Sequence, residues 1–555
     1  MATRSTTVRA LVIVAVWGFF WAKALGLTKF ADPTAVDWMM DGDWLAHFFG
    51  WLFARSAPWA IPFGQAPDLV APTGTSAALT DSIPLLTVLG KLVSPFFGDR
   101  LQLFGLWMVS GVIGTGVAGV LVCRAWLKDT ASLALAGCLF VMNPIVSTRY
   151  GHPPFLGFWV LTGLVGACVW PVASLSSARR TALVTLGLGF VACGVHAYLA
   201  VMASVLVGAS LVRLALVAKQ FRVGEAIAWL VSGPAVCVFA LWLFGFVSGV
   251  RSTPTGSLTV EGFGQFSADL LTLVNPTTWS RLLGPIAMGG RQYEGYAYLG
   301  LGTLALLVLR VGLLVKFRPS RAEVLTVVPL LIACAVMAFY ALSNQVTLAG
   351  APVADFTKFY EKLAPWPSIF RSSGRFVWPL FALLTMTAVL TAARLSKPVR
   401  TLVLGAAVLL QVADFDPARS GVNRDYPVFT TFQDPAWQLL SQGYRHVVIQ
   451  PVQLQWVCPF NPQLVSRLSW EAARQHLSIN SGHVGRAPPG TDCTRHLRPS
   501  ELKDDTVYLP YFPEFLADFT AAGFVCGEVE AFTLCVSPRR ETPLSLELHR
   551  RAGAG

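Results

Sequence analysis

Between residues 37 and 81 the sequence sets Asp37, Asp41, Asp43, His47, Arg55, Asp68 and Asp81 among Trp38, Trp44, Trp51 and Trp59. A carboxylate can take the proton from an attacking hydroxyl, and a neighbouring histidine can orient it or contact the acceptor. Asp43 and His47 are four residues apart and share one face if Gly42–Trp51 is helical. Lying flat at a membrane interface, such a helix would turn that face toward a substrate. The alternative is a plain interfacial helix with tryptophan anchors and solvated carboxylates.

Other chemistry-bearing residues stand in short turns. Arg371 and Arg375 lie four apart at an expected helix start, beside Ser372-Ser373-Gly374. Guanidinium forks and helix N-terminal amides both favour phosphate or pyrophosphate; the alternative is an arginine pair snorkelling to lipid headgroups. Arg149 and His152 share one turn, and His196 and Tyr198 another. The loop Gly289–Gly300 carries Tyr293 and Glu294, with glycines and tyrosines suited to close approach by a sugar or lipid head. Glu294 reads first as a hydrogen-bond anchor and second as a catalytic group.

These turns need elements to hold them. Of 555 residues, 54% are hydrophobic and 13% charged, with 36 Phe and 18 Trp; soluble domains carry about 25% charged residues. A mean hydropathy of +0.57 agrees, so a mainly soluble or disordered chain is excluded and a polytopic α-helical membrane protein is expected. Eleven apolar runs are long enough to span, near 10–27, 101–123, 131–148, 154–174, 181–197, 199–217, 224–249, 296–315, 322–341, 372–393 and 399–414. The stretch 83–97 is a further, partial helix. The first run lacks a small-residue cleavage site and reads as an anchor.

Lys and Arg concentrate in the N-terminal tail and every second connection, which places the N-terminus in the cytoplasm and the C-terminus outside. The tail and inner connections, with their immediate flanks and so including Arg213 and Arg310, hold sixteen basic and three acidic residues (Asp129, Glu225 and Glu323), a net of +13; the remainder nets −1. The overall +12 is therefore an orientation signal, and no nucleic-acid partner is implied. Outside lie 28–100, 250–295, 342–371 and everything beyond 415. The expected domains are 1–415, spanning the membrane with a large first loop 28–100, and 416–555, a periplasmic α/β domain with strands near 444–450 and 505–509.

Six cysteines lie in or beside spans; Cys458, Cys493, Cys526 and Cys535 lie in the external domain. Four cysteines in an oxidising compartment suggest two disulfides. Three pairings exist, and 458–493 with 526–535 is favoured. Zinc is the alternative, though no Cys-x-x-Cys pair occurs. The sequence has no phosphate loop, dinucleotide fingerprint or His-Glu-x-x-His motif.

Together these features resemble the GT-C superfamily of membrane glycosyltransferases, and more closely a group of bacterial inner-membrane proteins within it. The motifs that carry the resemblance are Asp43 to His47 with a following Gly50-Trp51, Thr80-Asp81-Ser82-Ile83-Pro84, Arg149 to His152, His196-Ala197-Tyr198, Tyr293 to Gly300 and Phe370 to Phe376. Their order, over nearly the whole chain and including a late stretch with Ala473, Asn480, Gly485, Arg486 and Cys493, is the specific part. One departure is His-Ala-Tyr where the group has His-Pro-Tyr. The resemblance implies a many-span fold, an essential acidic residue in the first external loop, and a donor sugar on polyprenyl phosphate or diphosphate.

On that footing Asp43 is the expected base, Asp41 the second choice, Asp81 an auxiliary carboxylate and His47 an orienting or acceptor-contacting group. Arg371, Arg375 and Arg149 would hold the donor phosphate, with His152, His196, Tyr198, Tyr293 and Glu294 binding substrate. Partners would be membrane lipids, the donor, and a glycan, lipid or protein acceptor. No cofactor is assigned, although acidic residues could hold Mg²⁺ or Mn²⁺. The rival readings are a transporter or flippase for a lipid-linked or anionic substrate, and a noncatalytic assembly protein.

Overall fold

The structure, a computed structural model, describes residues 2–98, 100–218, 221–247, 262–314, 320–416, 422, 425–455, 457–485 and 490–552. The late Arg486, part of the stretch after Asn480 that joins the family resemblance, lies outside them.

The chain opens with α1 (Arg4–Ala24), α2 (Trp44–Ser56), the pair β1 (Gln65–Ala66) and β2 (Thr75–Ser76), α3 (Pro84–Val93) and α4 (Phe104–Cys123). Next come α5 (Thr130–Val141), α6 (Pro144–Thr148), α7 (Trp159–Val169), α8 (Leu175–Val195), α9 (Ala197–Val212) and α10 (Val223–Leu243). Then follow α11 (Leu301–Leu314), α12 (Arg321–Leu342), β3 (Gln345–Leu348), β4 (Ala351–Asp355), α13 (Thr357–Glu361), α14 (Trp378–Thr391) and α15 (Lys397–Asp414). The last region holds β5 (His446–Gln450), α16 (Pro462–Arg474), β6 (Ser478–Ile479), β7 (Thr506–Pro510), α17 (Pro513–Ala521), β8 (Val525–Val529), β9 (Phe532–Val536) and α18 (Pro543–Ala552).

Among the described residues, eight helical stretches are long and apolar enough to cross a membrane: Arg4–Ala24, Phe104–Cys123, Thr130–Thr148, Leu175–Val195, Ala197–Val217, Val223–Leu243, Arg321–Leu342 and Ser373–Arg394. The runs expected at 154–174, 296–315 and 399–414 are helical too. Two of them are short, Pro153–Val169 and Leu301–Leu313, and α15 begins at Lys397, contains Arg400 and ends at Asp414. Among the described residues, eight stretches therefore meet the length and composition needed, where eleven runs were expected.

The chain folds as two compact units: Met1–Pro33, Leu103–Leu241 and Leu258–Asp425 form one, and Thr34–Gln102, Trp242–Ser257 and Tyr426–Gly555 the other. The expected division at 415 put the first loop with the spans; here it packs with the C-terminal region.

In the helical unit α1 packs on α4 and α5, α7 on α4 and α9, α8 on α9, and α11 on α14 and α15. Asp129 caps α5 by accepting from Ser132 N–H at 2.9 Å, and Ser320 and Glu323 form a reciprocal capping box on α12. The three acidic residues of the basic connections each meet an arginine of another: Asp129 with Arg400 at 2.8 Å, Glu225 with Arg179 at 2.6 Å and Glu323 with Arg394 at 3.5 Å. The more exposed pairs, Glu225–Arg179 and Glu323–Arg394, add little stability, but all three join connections that the charge pattern assigned to one side. Ala2 N–H also donates to Arg124 C=O at 2.9 Å, adding the N-terminus to that set.

The second unit is built on a five-stranded sheet of order β6-β5-β7-β9-β8, with β6, β5 and β7 parallel and β9 and β8 antiparallel. Cys458 is bonded to Cys493 and Cys526 to Cys535, the pairing favoured from sequence; Cys526 and Cys535 face each other across β8 and β9. The first loop extends the sheet. Leu69 pairs in parallel with Ile479 on edge strand β6, Ile479 N–H donates to Asp68 C=O, and Ala71 N–H to Ile479 C=O, each at 2.8 Å. Helix α2 is not the surface helix expected over Gly42–Trp51: Trp44 through Ala54 are all buried. Its residues are apolar on every side, so it behaves as a core helix; Phe48 stacks on Trp470 of α16 at 6.0 Å.

Candidate functional site

The residues singled out from sequence fall into two groups, one in each unit. In the helical unit Arg149 follows α6, whose start is capped by Asn143, and the chain turns through His152 into a 3-10 segment, Pro153–Phe158. His196 separates α8 from α9. Its Nδ1 accepts from Tyr198 N–H at 3.2 Å, so this ring nitrogen carries no proton. The imidazole stacks on Tyr198 at 5.6 Å, and the Tyr198 hydroxyl accepts from Ser372 N–H at 2.9 Å. Helix α14 starts only at Trp378, so Arg375 lies in a 3-10 lead-in, Ser373–Val377, and Arg371 in the bend before it. The two arginines thus do not share one turn of α-helix. Arg371 is half-exposed, with its guanidinium over the Phe266 ring at 4.6 Å.

Arg375 and Arg149 converge on Glu294. Arg375 donates from Nε at 3.0 Å and Nη2 at 2.8 Å to Glu294 Oε2. Arg149 donates from Nη1 to the same oxygen at 2.8 Å, and from Nη2 to the carbonyls of Tyr293 and Glu294 at 2.9 Å each. All three side chains are buried. The Arg375 guanidinium also lies 4.4 Å from the Phe155 ring centre and 4.7 Å from that of Tyr198. Backbone crowding holds the segments in place: a Cβ on Gly374 would stand 2.7 Å from Gly295 Cα. Burial alone would raise the Glu294 pKa, but Arg375 and Arg149, with His152, outweigh it and hold this carboxyl well below the usual range. Burial lowers the Arg149 pKa against the pull of Glu294; a guanidinium remains charged regardless. Among the described residues, Arg149 Nε and Ser373 Oγ are buried without hydrogen-bond partners.

The acidic group lies in the second unit. Asp43 is the exposed residue before α2 and makes no side-chain cap bond; Asp41 is half-exposed. His47, one turn into α2 and buried, uses Nδ1–H to donate to the Asp81 carbonyl, which ties the start of α2 to the second acidic stretch. Asp81 adopts a left-handed backbone, φ +57°, a conformation aspartate tolerates better than most residues. The C-terminal region secures this stretch: Gly485 N–H donates to Leu79 C=O at 2.9 Å. A Cβ on Gly485 would meet that carbonyl at 3.1 Å and both Asp81 carboxylate oxygens at 3.5 Å.

Sequence reasoning assigned no role to Phe155 or Phe266, because an aromatic residue in an apolar run carries no signal of its own, and it met Gly485 only as part of the late stretch of the family resemblance. Tyr293, expected at the substrate, is exposed, while the neighbouring Glu294 is buried. Among the described residues no group of three or more His, Cys, Asp or Glu could hold a metal ion.

Comparison with solved structures finds similarity to the crystal structure of the Archaeoglobus fulgidus oligosaccharyltransferase in complex with Zn and sulfate, at 12% identity and a TM-score of 0.39, over 85% of this chain and 62% of that one. The present chain thus spans less than two thirds of that protein's length, and the likeness is loose. No curated protein matches in sequence. Residues 436–537 match the DUF6311 C-terminal domain. Residues 15–416, most of the chain, match the domain of unknown function DUF6311, and the protein belongs to that family.

Proposed function

We propose that the protein is a GT-C-type membrane glycosyltransferase that moves a sugar from a polyprenyl-phosphate-linked donor to a glycan, lipid or protein acceptor on the outer face of the bacterial inner membrane. In this reading the N-terminus is cytoplasmic and the C-terminal domain periplasmic. The observation that carries it is the buried Arg149–Glu294–Arg375 cluster. Two guanidiniums are brought together there, and guanidinium forks match phosphate oxygens.

In the reaction, the acceptor oxygen attacks the anomeric carbon, the new C–O bond forms, and the bond to the lipid phosphate breaks with its electron pair going to phosphate. Asp43 takes the acceptor proton, with Asp41 beside it in the chain and Asp81 as auxiliary carboxylate. Arg371, Arg375 and Arg149 neutralise the leaving phosphate as its charge develops. His47 fixes the Asp81 loop, Glu294 holds the two buried arginines, and His152, His196, Tyr198 and Tyr293 line the donor side.

The test is transfer from polyprenyl-phosphate-linked sugars by purified protein in proteoliposomes. Asp43→Asn should lower kcat by about 10²–10⁴-fold. Undiminished activity removes Asp43 as the base. Absence of transfer from every polyprenyl-linked donor by the unmodified protein removes the reading altogether.

A further inference from the structure

Helix α12 carries exposed apolar residues in a stripe. Ile332, Val336 and Phe339 lie four and then three residues apart, and all are exposed. The stripe does not stop with the helix. The Phe339 ring centre lies 5.3 Å from that of Phe356, 6.3 Å from Phe359 and 6.2 Å from Tyr360, on which it stacks. Tyr360 is buried and also meets Phe263 at 5.1 Å, which pins this segment to the end of α12. Around it Phe356, Phe359, Leu363 and Trp366 recur at intervals of three, four and three, and all are exposed, Trp366 to 65%. Leu363 N–H donates to Tyr360 C=O and Trp366 N–H to Leu363 C=O, so helical turns continue past α13. The Tyr340 hydroxyl, again from α12, donates to Pro367 C=O at 2.7 Å and ties down the far end.

The ring contacts to α12 fix the depth of this surface, all of which belongs to the helical unit. Helix α12 has 22 residues, a length of about 33 Å against about 30 Å of hydrocarbon. Phe339 is in its last turn, so the rings packed on it stand near one boundary of the hydrocarbon. Residues 343–372 join α12 to the stretch Ser373–Arg394, and both are long and apolar enough to span. The segment therefore starts and ends at that same boundary. Its charged side chains, Asp355, Lys358, Glu361 and Lys362, are exposed as well; two are acidic and two basic, so they cancel. A tryptophan beside phenylalanines and a leucine, with balanced charges between them, suits the layer between headgroups and acyl chains.

We propose that residues 356–366 form a membrane shelf, seated in the acyl–headgroup boundary of the leaflet at which α12 ends. The occupant of the surface is zwitterionic phospholipid, packed against Phe356, Phe359, Leu363 and Trp366 and held by apolar area, since the charges of the segment sum to zero. The shelf does not depend on the glycosyltransferase reading, and neither does its test.

A fluorophore on Phe359→Cys, and separately on Trp366→Cys, is followed in the full chain in phosphatidylcholine nanodiscs; the free native cysteines are buried. Exposed Ile332→Cys, midway along α12, is the acyl-chain reference and exposed Glu514→Cys the aqueous one. Lipids spin-labelled near the glycerol should quench both shelf labels several-fold more than the Glu514→Cys label, and more than lipids spin-labelled near the chain end. The Ile332→Cys label should show the opposite depth order. Aqueous iodide should quench the shelf labels several-fold less than the Glu514→Cys label, with no change when anionic lipid is added. Iodide quenching equal to that at Glu514→Cys overturns the proposal in favour of a solvated face. Protection from both lipid and iodide quenchers overturns it in favour of a protein partner, including a second copy of this chain. Lipid quenching that appears only with anionic lipid overturns the zwitterionic occupant.

Discussion

Glu294 concentrates the electrostatics of the helical unit on one oxygen. Three N–H groups from Arg149 and Arg375 end on Oε2, so removing the charge leaves two buried guanidiniums facing a neutral amide. Glu294→Gln should therefore destabilise the protein by about 3–5 kcal/mol, the usual result of breaking a buried pair from one side, seen as a lower midpoint of thermal unfolding in detergent. The pH dependence has a definite sign. The folded pKa of Glu294 lies below its unfolded value, near 4.3, so its contribution is present above that unfolded value and fades as pH falls through the folded one. Over that acidic range the unmodified protein should lose stability more steeply than the Gln variant. Equal midpoints at neutral pH, or parallel acid limbs, would show that the cluster does not depend on Glu294.

Gly485 does at the level of elements what Glu294 does among side chains: it lets one segment fix another. The loop after β6 reaches the 66–82 stretch at both ends, at Ile479 with Asp68 and Ala71 and at Gly485 with Leu79, while α2 holds the same stretch through His47. Gly485→Ala must push back the Leu79 carbonyl, a crowding cost of about 1–3 kcal/mol. Hydrogen exchange should rise at residues 77–82 and stay unchanged in β8 and β9; equal exchange at 77–82 would refute the role. Such pairings mark the limit of what the chain shows in one dimension. Apolar length and Lys/Arg spacing are local properties, so the helices at 4–24, 104–123 and 321–342 and the sharing of one side by Asp129 and Arg400 could be read directly. The strands around 446–450 and 506–510 were legible for the same reason. The partner of Arg375 is 81 residues away, and the burial of α2 depends on α16, so neither follows from local pattern. Asp43 and His47 do sit one helical turn apart as their spacing implied, but the helix is enclosed where an interfacial surface was expected.

At the scale of the molecule, the sequence beyond residue 425 does not complete its own fold. Its sheet ends at β6, a two-residue strand, and the pairing that continues that edge comes from Leu69 in the first loop. Trp470 of α16, 5% exposed, is covered by Phe48 from α2. Phe429 also meets this ring, edge-on at 5.7 Å. A secreted fragment of residues 426–555 would keep both disulfides, whose loops constrain its unfolded chain, yet it would expose an unpaired strand edge and an apolar helix face. Open edges and large apolar patches promote association. The fragment should accordingly bind a hydrophobic dye and self-associate, whereas the same fragment joined through a flexible linker to residues 34–102 should be monomeric and unfold in one cooperative step at higher temperature. A monomeric 426–555 fragment with the same unfolding midpoint as the joined form would mean that the first loop merely rests on a finished domain. The expected result instead makes residues 34–102 part of the C-terminal fold, so that any substitution loosening that fold reaches Asp81 through the backbone at Leu79.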